Sequence, residues 1–190
     1  MNDRTGPGAR TSAGARTSAG ARHDANATSS ALRDADAILA RAAEDEAAAL
    51  EARERYRDRE IEPIEPDVRI AGFLAPGESV LAVRRAALLD RREPRIGASC
   101  PGYPGLAGDL YVTSCRIVHI GRFVLEYDLA AIREAVVSAE HLLLILCDGA
   151  GVMLDVERPR LLRVQITAAR SRRAARAFAA QAPRPAPDSR

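Results

Sequence analysis

The residues of this chain that could do chemistry are three histidines, three cysteines and a closely spaced pair of carboxylates. Nucleophilic catalysis needs a nucleophile, a base and a group that orients the base. The only imidazoles are His23, His119 and His141. His23 lies in a tract without large apolar residues, and His119 sits between Val118 and Ile120 in a strand-like run. Neither His119 nor His141 lies in a recognisable catalytic motif. Cys115 and His119, four apart, would share one face of a strand, as would His141 and Cys147, six apart. A four-ligand site across two strands is geometrically conceivable. The CxxC and HxxxH spacings are missing, however, and small buried thiols are the simpler reading. Glu126 and Asp128 share one strand face with Tyr127 opposite, and read as solvated carboxylates rather than an acid–base pair. All 28 basic residues are Arg. Without Lys there is no Schiff-base or phosphate-loop amine, and neither GxGxxG nor GxxxxGK[ST] occurs. We therefore expect no catalytic residues, no metal and no cofactor: a non-enzymatic protein.

Arginine supplies the one candidate site. Arg84 and Arg85 fall in a strand-like run, and Arg91, Arg92 and Arg95 follow in a loop. Guanidinium forks suit phosphate oxygens, and each is worth about 1 kcal/mol beside an anionic bilayer. The interleaved Asp90 and Glu93 reduce the excess. These five residues are the candidates for contact with anionic lipid or a protein partner. A second basic patch spans Arg170 to Arg176, with Phe178 as the only nearby aromatic, so base stacking is not indicated. The formal charge of +2 argues against nucleic acid as the partner.

The elements that must hold these residues follow from where the apolar mass lies. Of the hydrophobic residues 38 are Ala, and 42 of the 51 larger ones fall between Val68 and Thr167. That is one core of about 100 residues, enough to fold alone. Residues 1–29, with TSAGAR repeated at 11–16 and 17–22, bury too little to offset ordering and are expected to be a disordered tail. Residues 30–60 read as a charged, Ala-rich helix with Ser30 as N-cap and Leu32, Leu39, Ala43 and Leu50 on one narrow stripe. This helix is either a lightly docked or projecting arm, or a coiled-coil surface for self-association or a partner. Ile-Glu-Pro repeated over 61–66 predicts an extended linker, 61–67, before the core domain, 68–176, and a disordered tail, 177–190.

Within the core, strands are expected at Arg69–Leu74, Ser79–Leu89, around Leu110–Ser114, Arg116–Ile120, Phe123–Tyr127, Ile132–Val137, Leu142–Cys147 and Val152–Val156. Asp148-Gly149 marks a hairpin, and residues 90–106 a long Pro- and Gly-rich loop. A closing helix starts at Pro159, with Leu161, Leu162, Ile166 and Ala169 on one face and Arg160, Arg163 and Arg170 on another.

Three segments carry a family resemblance. Gly108-Asp109-Leu110-Tyr111-Val112-Thr113-Ser114-Cys115-Arg116-Ile117-Val118 resembles a strand ending in Val-Thr, a tight turn and an Arg before β-branched residues. Tyr127-Asp128-Leu129-Ala130-Ala131-Ile132 is similar to the turn that follows, and Leu142 to Asp155 to the last hairpin before the helix. Together they resemble the pleckstrin-homology (PH) superfold in its bacterial PH and GRAM-like variants, over roughly Ala71 to Arg170. The resemblance implies a mainly β fold: an antiparallel barrel or sandwich of about seven strands capped by a C-terminal helix, here preceded by a long N-terminal helix. It also implies an interaction or adaptor module, with a protein partner as the first expectation. Anionic membrane lipid at Arg84, Arg85, Arg91, Arg92 and Arg95 is the alternative, and a small-ligand site between barrel and loop 90–106 is a third. Fold alone does not choose among them.

Compartment follows from three further features. Three cysteines form no even disulfide framework. The longest apolar run, Leu142 to Cys147, is far shorter than the roughly 20 residues a membrane span needs. The N-terminus has no apolar signal-peptide region. The expectation is a bacterial cytoplasmic protein, free or peripheral at the inner face of the membrane, with homo-oligomerisation through residues 30–60 as an option.

Overall fold

Alternation of apolar and polar residues builds the sheet, and the computed structural model shows which face each residue takes. It describes the backbone of residues 18–92 and 106–181, and side chains over 34–89 and 107–181. The elements are α1 (Ser18–Asp58), α2 (Val68–Ala71), β1 (Val80–Arg92), β2 (Leu106–Thr113), β3 (Arg116–Ile120), β4 (Val124–Asp128), β5 (Ile132–Ser138), β6 (His141–Leu146), β7 (Gly151–Val156) and α3 (Pro159–Gln181). All strand pairings are antiparallel, in the order β4-β3-β2-β1-β7-β6-β5. The expected seven-strand, mainly β architecture with a closing helix and a preceding helix is what the chain forms.

The sheet is not closed: β4 and β5, consecutive in sequence, are its two edges. A 3₁₀ turn, Leu129–Ala131, spans that gap. The Asp128 carboxylate accepts from Ala130 N at 2.7 Å, Leu129 N donates to Cys115 O and Cys147 N donates to Ala131 O. Leu129 is fully buried, and α3 lays Leu162, Ile166 and Ala169 over the inner face, against Ala82, Val112, Ile117 and Leu144. Truncating Leu162 or Ile166 to Ala would leave a cavity costing about 2–5 kcal/mol.

The outer face of β1–β3 has its own cover. Val80, Tyr111, Val118 and Ile120 pack under Ile70 of α2. This corrects the expected strand at 69–74. Asp67 accepts from Arg69 N and Ile70 N, which starts a helical turn instead. The 61–67 segment, expected as an extended linker, is tied to the core: Ile61 is buried in the main core, and Ile64 N donates to Val80 O at 2.8 Å.

The chain divides into two compact units, Met1–Arg41 and Ala42–Arg190. In the first, α1 begins at Ser18, earlier than the expected start at Ser30 and inside the tract read as a disordered tail, while residues 34–41 are exposed. Residues 1–17 lie outside the described residues. In the second, α1 packs along α3 through Ala49, Ala52, Tyr56, Leu161 and Val164. α3 runs to Gln181, as expected for a helix stopped by Pro183 and Pro185, though past the domain boundary drawn at 176; the rest of the expected tail lies outside the described residues. β1 and β2 enter the expected 90–106 loop as far as Arg92 and from Leu106, and its remainder is likewise outside.

Candidate functional site

Of the five candidate arginines only Arg84 and Arg85 have described side chains, and these two lie on opposite faces of β1. In register with Leu110, Arg84 faces inward, and Arg85, in register with Asp109, faces outward. Arg84 donates to Val83 O at 2.6 Å and to Gln165 Oε1 on α3 at 3.2 Å, while its buried Nε has no partner among the described residues. Burial, and next the charge of Arg158, pull its pKa below the usual guanidinium range. Arg85 Nε lies 3.4 Å from Asp109 Oδ1, which shares its carboxylate with Arg69. Arg91 and Arg92 are placed on β1 by backbone only, and Arg95 lies outside the described residues.

The residues weighed for catalysis and metal binding do not converge, and the buried Nδ1 of His119 has no hydrogen-bond partner among the described residues. His119 is buried, its Nε2 3.5 Å from Ala86 O, and burial lowers its pKa. Cys115 is half-buried and Cys147 exposed, on different strand ends. Among the described residues no three His, Cys, Asp or Glu side chains converge as metal ligands. Glu126 pairs with Arg116 at 2.6 Å, and Asp128 with Arg173 at 2.8 Å.

A polar clamp fastens the 61–79 segment to the outer face. The Glu78 side chain is only 1% exposed; it accepts from Ala75 N and from Arg116, and lies 2.5 Å from the Thr113 hydroxyl. Burial alone would raise its pKa, but hydrogen bonds from Thr113, Ala75 N and Arg116 outweigh this and hold it below the usual carboxylate value. Arg116 also reaches Phe73 O. The Thr113 hydroxyl accepts from Cys115 N and Arg116 N, which shapes the β2–β3 turn. The Tyr111 hydroxyl donates to Asp67 at 2.8 Å, and burial followed by that bond push its pKa up to about 12.

A different arrangement lies on the other side of α3. α1 and α3 cap each other: Asp45, buried on α1, accepts from Arg160 N at 2.7 Å and Leu161 N at 3.0 Å at the start of α3. At the far end Arg172 of α3 donates to Arg59 O, just past the end of α1. The two helices therefore run in the same direction. Between them and edge strand β5 opens a groove of about 550 Å³. Its floor is Tyr56, Ala135, Val164 and Ala168; its rim carries Arg53 and Arg57 from α1, Arg163 and Arg170 from α3, and Glu134 from β5. Arg53 and Arg57 have helix-mates in Glu46 at 3.6 Å and Glu54 at 3.0 Å. Arg163 and Arg170 have no ion pair among the described residues.

No protein-family model and no curated protein matches this sequence. The groove therefore has to be read from its own geometry. Sequence reasoning missed it, placing Arg163 and Arg170 only on the helix face away from the apolar one. The Ala49, Ala52 and Tyr56 stripe of α1 was the available sign that this helix has a docked side.

Proposed function

We propose that this chain is a non-enzymatic PH-like interaction module that docks a polypeptide partner in the groove between α1, α3 and β5. The observation that carries this reading is the free edge of β5 running beside a concave, apolar-floored site. An edge strand offers a row of main-chain donors and acceptors that another backbone satisfies by adding a strand, and flanking pockets then select side chains. The volume is within the range of ligand sites, roughly 300–1,000 Å³. The strand order, the α3 plug and the Thr113–Arg116 turn support the PH-like resemblance. Non-enzymatic action is the reading we take because the histidines, cysteines and carboxylates described do not converge on one site. Lipid docking through Arg84, Arg85, Arg91, Arg92 and Arg95 is a weaker reading, since the first two point to opposite faces of β1.

The test is selection of extended peptides from a random display library on the full-length chain, followed by amide hydrogen exchange with a selected peptide bound. The reading expects enrichment and slowed exchange in Ile132–Ser138. Enriched peptides that slow exchange only elsewhere, or no enrichment at all, overturn it.

A further inference from the structure

The groove's rim also fixes the chemistry of its occupant. We infer that it takes an acidic, extended segment of another protein, added as a strand along β5 with its carboxylates facing Arg163 and Arg170; this rests on the docking reading above. Three observations converge. First, the groove sets four guanidinium groups against the single carboxylate of Glu134. Two of the four, Arg163 and Arg170, are half-buried without an ionic partner among the described residues. A guanidinium fork donates two parallel hydrogen bonds to a carboxylate, so these rim groups are unfilled donors for acid. Second, the free edge of β5 is seven residues, or roughly 23 Å of strand, which only another backbone matches bond for bond. A headgroup or a free anion could meet the arginines, but neither would use the edge. Third, the ends of this chain carry the wrong sign. Beyond the helices, residues 182–190 hold two Arg against one Asp, and residues 1–17 hold three Arg against one Asp. Neither tract supplies acid, and the inferred occupant is a segment of another protein. The small side chains of Ala135 and Ala168 leave room on the floor for an apolar residue between the acidic ones.

The test uses the full-length chain and three labelled ten-residue peptides alternating Val with Glu, Gln or Lys, read by fluorescence anisotropy. The Glu peptide should bind, bind at least tenfold more weakly when salt is raised from low to about 0.5 M, and slow exchange in Ile132–Ser138. Arg163→Gln with Arg170→Gln should weaken it at least fivefold. Thr167→Glu, an exposed change on the groove wall, should do the same by pairing with the two arginines across one helical turn, with neither of them replaced. Arg122→Gln, on the β3–β4 turn, should leave affinity within twofold. Equal binding of the Gln peptide overturns the acidic inference while leaving strand addition at β5 standing. Binding of the Glu peptide without slowed β5 exchange overturns both. Failure of the Glu peptide to bind, with or without binding to vesicles of anionic lipid, also overturns the acidic inference, and the display selection then decides the docking reading separately.

Discussion

The clamp on the outer face and the groove beside β5 use the same residue types and end in opposite states. In the clamp, Arg116 meets Glu78, Glu126 and Phe73 O, and Glu78 is itself filled by Thr113 and Ala75 N. In the groove, Arg163 and Arg170 face an apolar floor with no ionic partner among the described residues. A buried charge with every acceptor supplied holds two segments of one chain together, and removing a partner is costly. A half-buried charge with none is, on the docking proposal, left for something outside the chain. The difference separates stability from recognition, and changes to the two regions should register in different measurements.

The largest effect is expected in the clamp. Glu78→Ala removes the carboxylate that Ala75 N, the Thr113 hydroxyl and Arg116 share, in a site where that side chain was almost wholly buried, so unfolding free energy should fall by about 3 kcal/mol. Urea denaturation measures this directly. Peptide affinity at the groove, measured under conditions where the variant is folded, should stay within twofold. A loss of less than 1 kcal/mol would mean that the clamp is not what fixes the 61–79 segment, and the contrast with the groove would blur.

Next is the shared wall of the groove. Asp45→Ala removes the acceptor for the first N–H groups of α3 and should cost about 1–2 kcal/mol. Hydrogen exchange should quicken over 42–58 more than over β1–β3, because Asp45 ties α1 to α3 and not to the sheet. Groove affinity should fall as well, since Arg53, Tyr56 and Arg57 all sit on the loosened helix. An Asp45→Ala protein with unchanged peptide affinity would remove α1 from the site.

This division also marks what a sequence can and cannot disclose. β3, the Asp148-Gly149 hairpin and the start of α3 at Pro159 were legible because each depends on neighbours a few residues away. The 69–74 stretch was misread because its helical turn depends on Asp67, whose carboxylate is held by Tyr111, 44 residues on. The split of Arg84 from Arg85 was within reach, because adjacent residues of a strand point to opposite faces. The groove was not. Its walls come from residues more than 100 apart, and in a chain whose every base is Arg, a rim arginine and a solvated one look the same in sequence. Only the register of α1 on α3 tells them apart.

Acid should distinguish the regions through a single histidine. Burial lowers the folded-state pKa of His119 below its usual 6.5, so the neutral ring is favoured in the native protein. The unfolded chain then binds the proton more readily, and stability falls as pH drops through 6.5 toward the lower folded value. The urea midpoint should therefore decline between pH 7 and pH 5.5, before the depressed carboxylates of Asp67, Glu78 and Glu140 begin to take up protons below their ordinary values of 3.8, 4.5 and 4.5. His119→Gln should flatten that decline. The groove's guanidinium groups do not titrate in this window, so a peptide affinity that tracks the same pH profile would show that core and groove are coupled.

The smallest change expected lies in the β5–β6 hairpin, at the end of the edge strand. Ala139 and Glu140 both take positive φ, 48° and 64°. A two-residue turn of this kind suits glycine or asparagine, whereas an alanine there pays about 1 kcal/mol of steric strain. Glu140 has a compensation that Ala139 lacks: its carboxylate accepts a two-pronged hydrogen bond from Arg160, 2.6 Å on each arm. Ala139→Gly should thus raise stability by about 0.5 kcal/mol, the relief of strain being partly offset by the freer unfolded chain. Glu140→Gly should not, because it relieves strain but releases Arg160 from the first turn of α3, where the same guanidinium lies 3.3 Å from Glu46. Opposite signs for these neighbouring substitutions in paired thermal melts would show that the hairpin is held by the α1–α3 junction rather than by its own turn residues. Equal gains would detach that end of β5 from the groove's supporting helices.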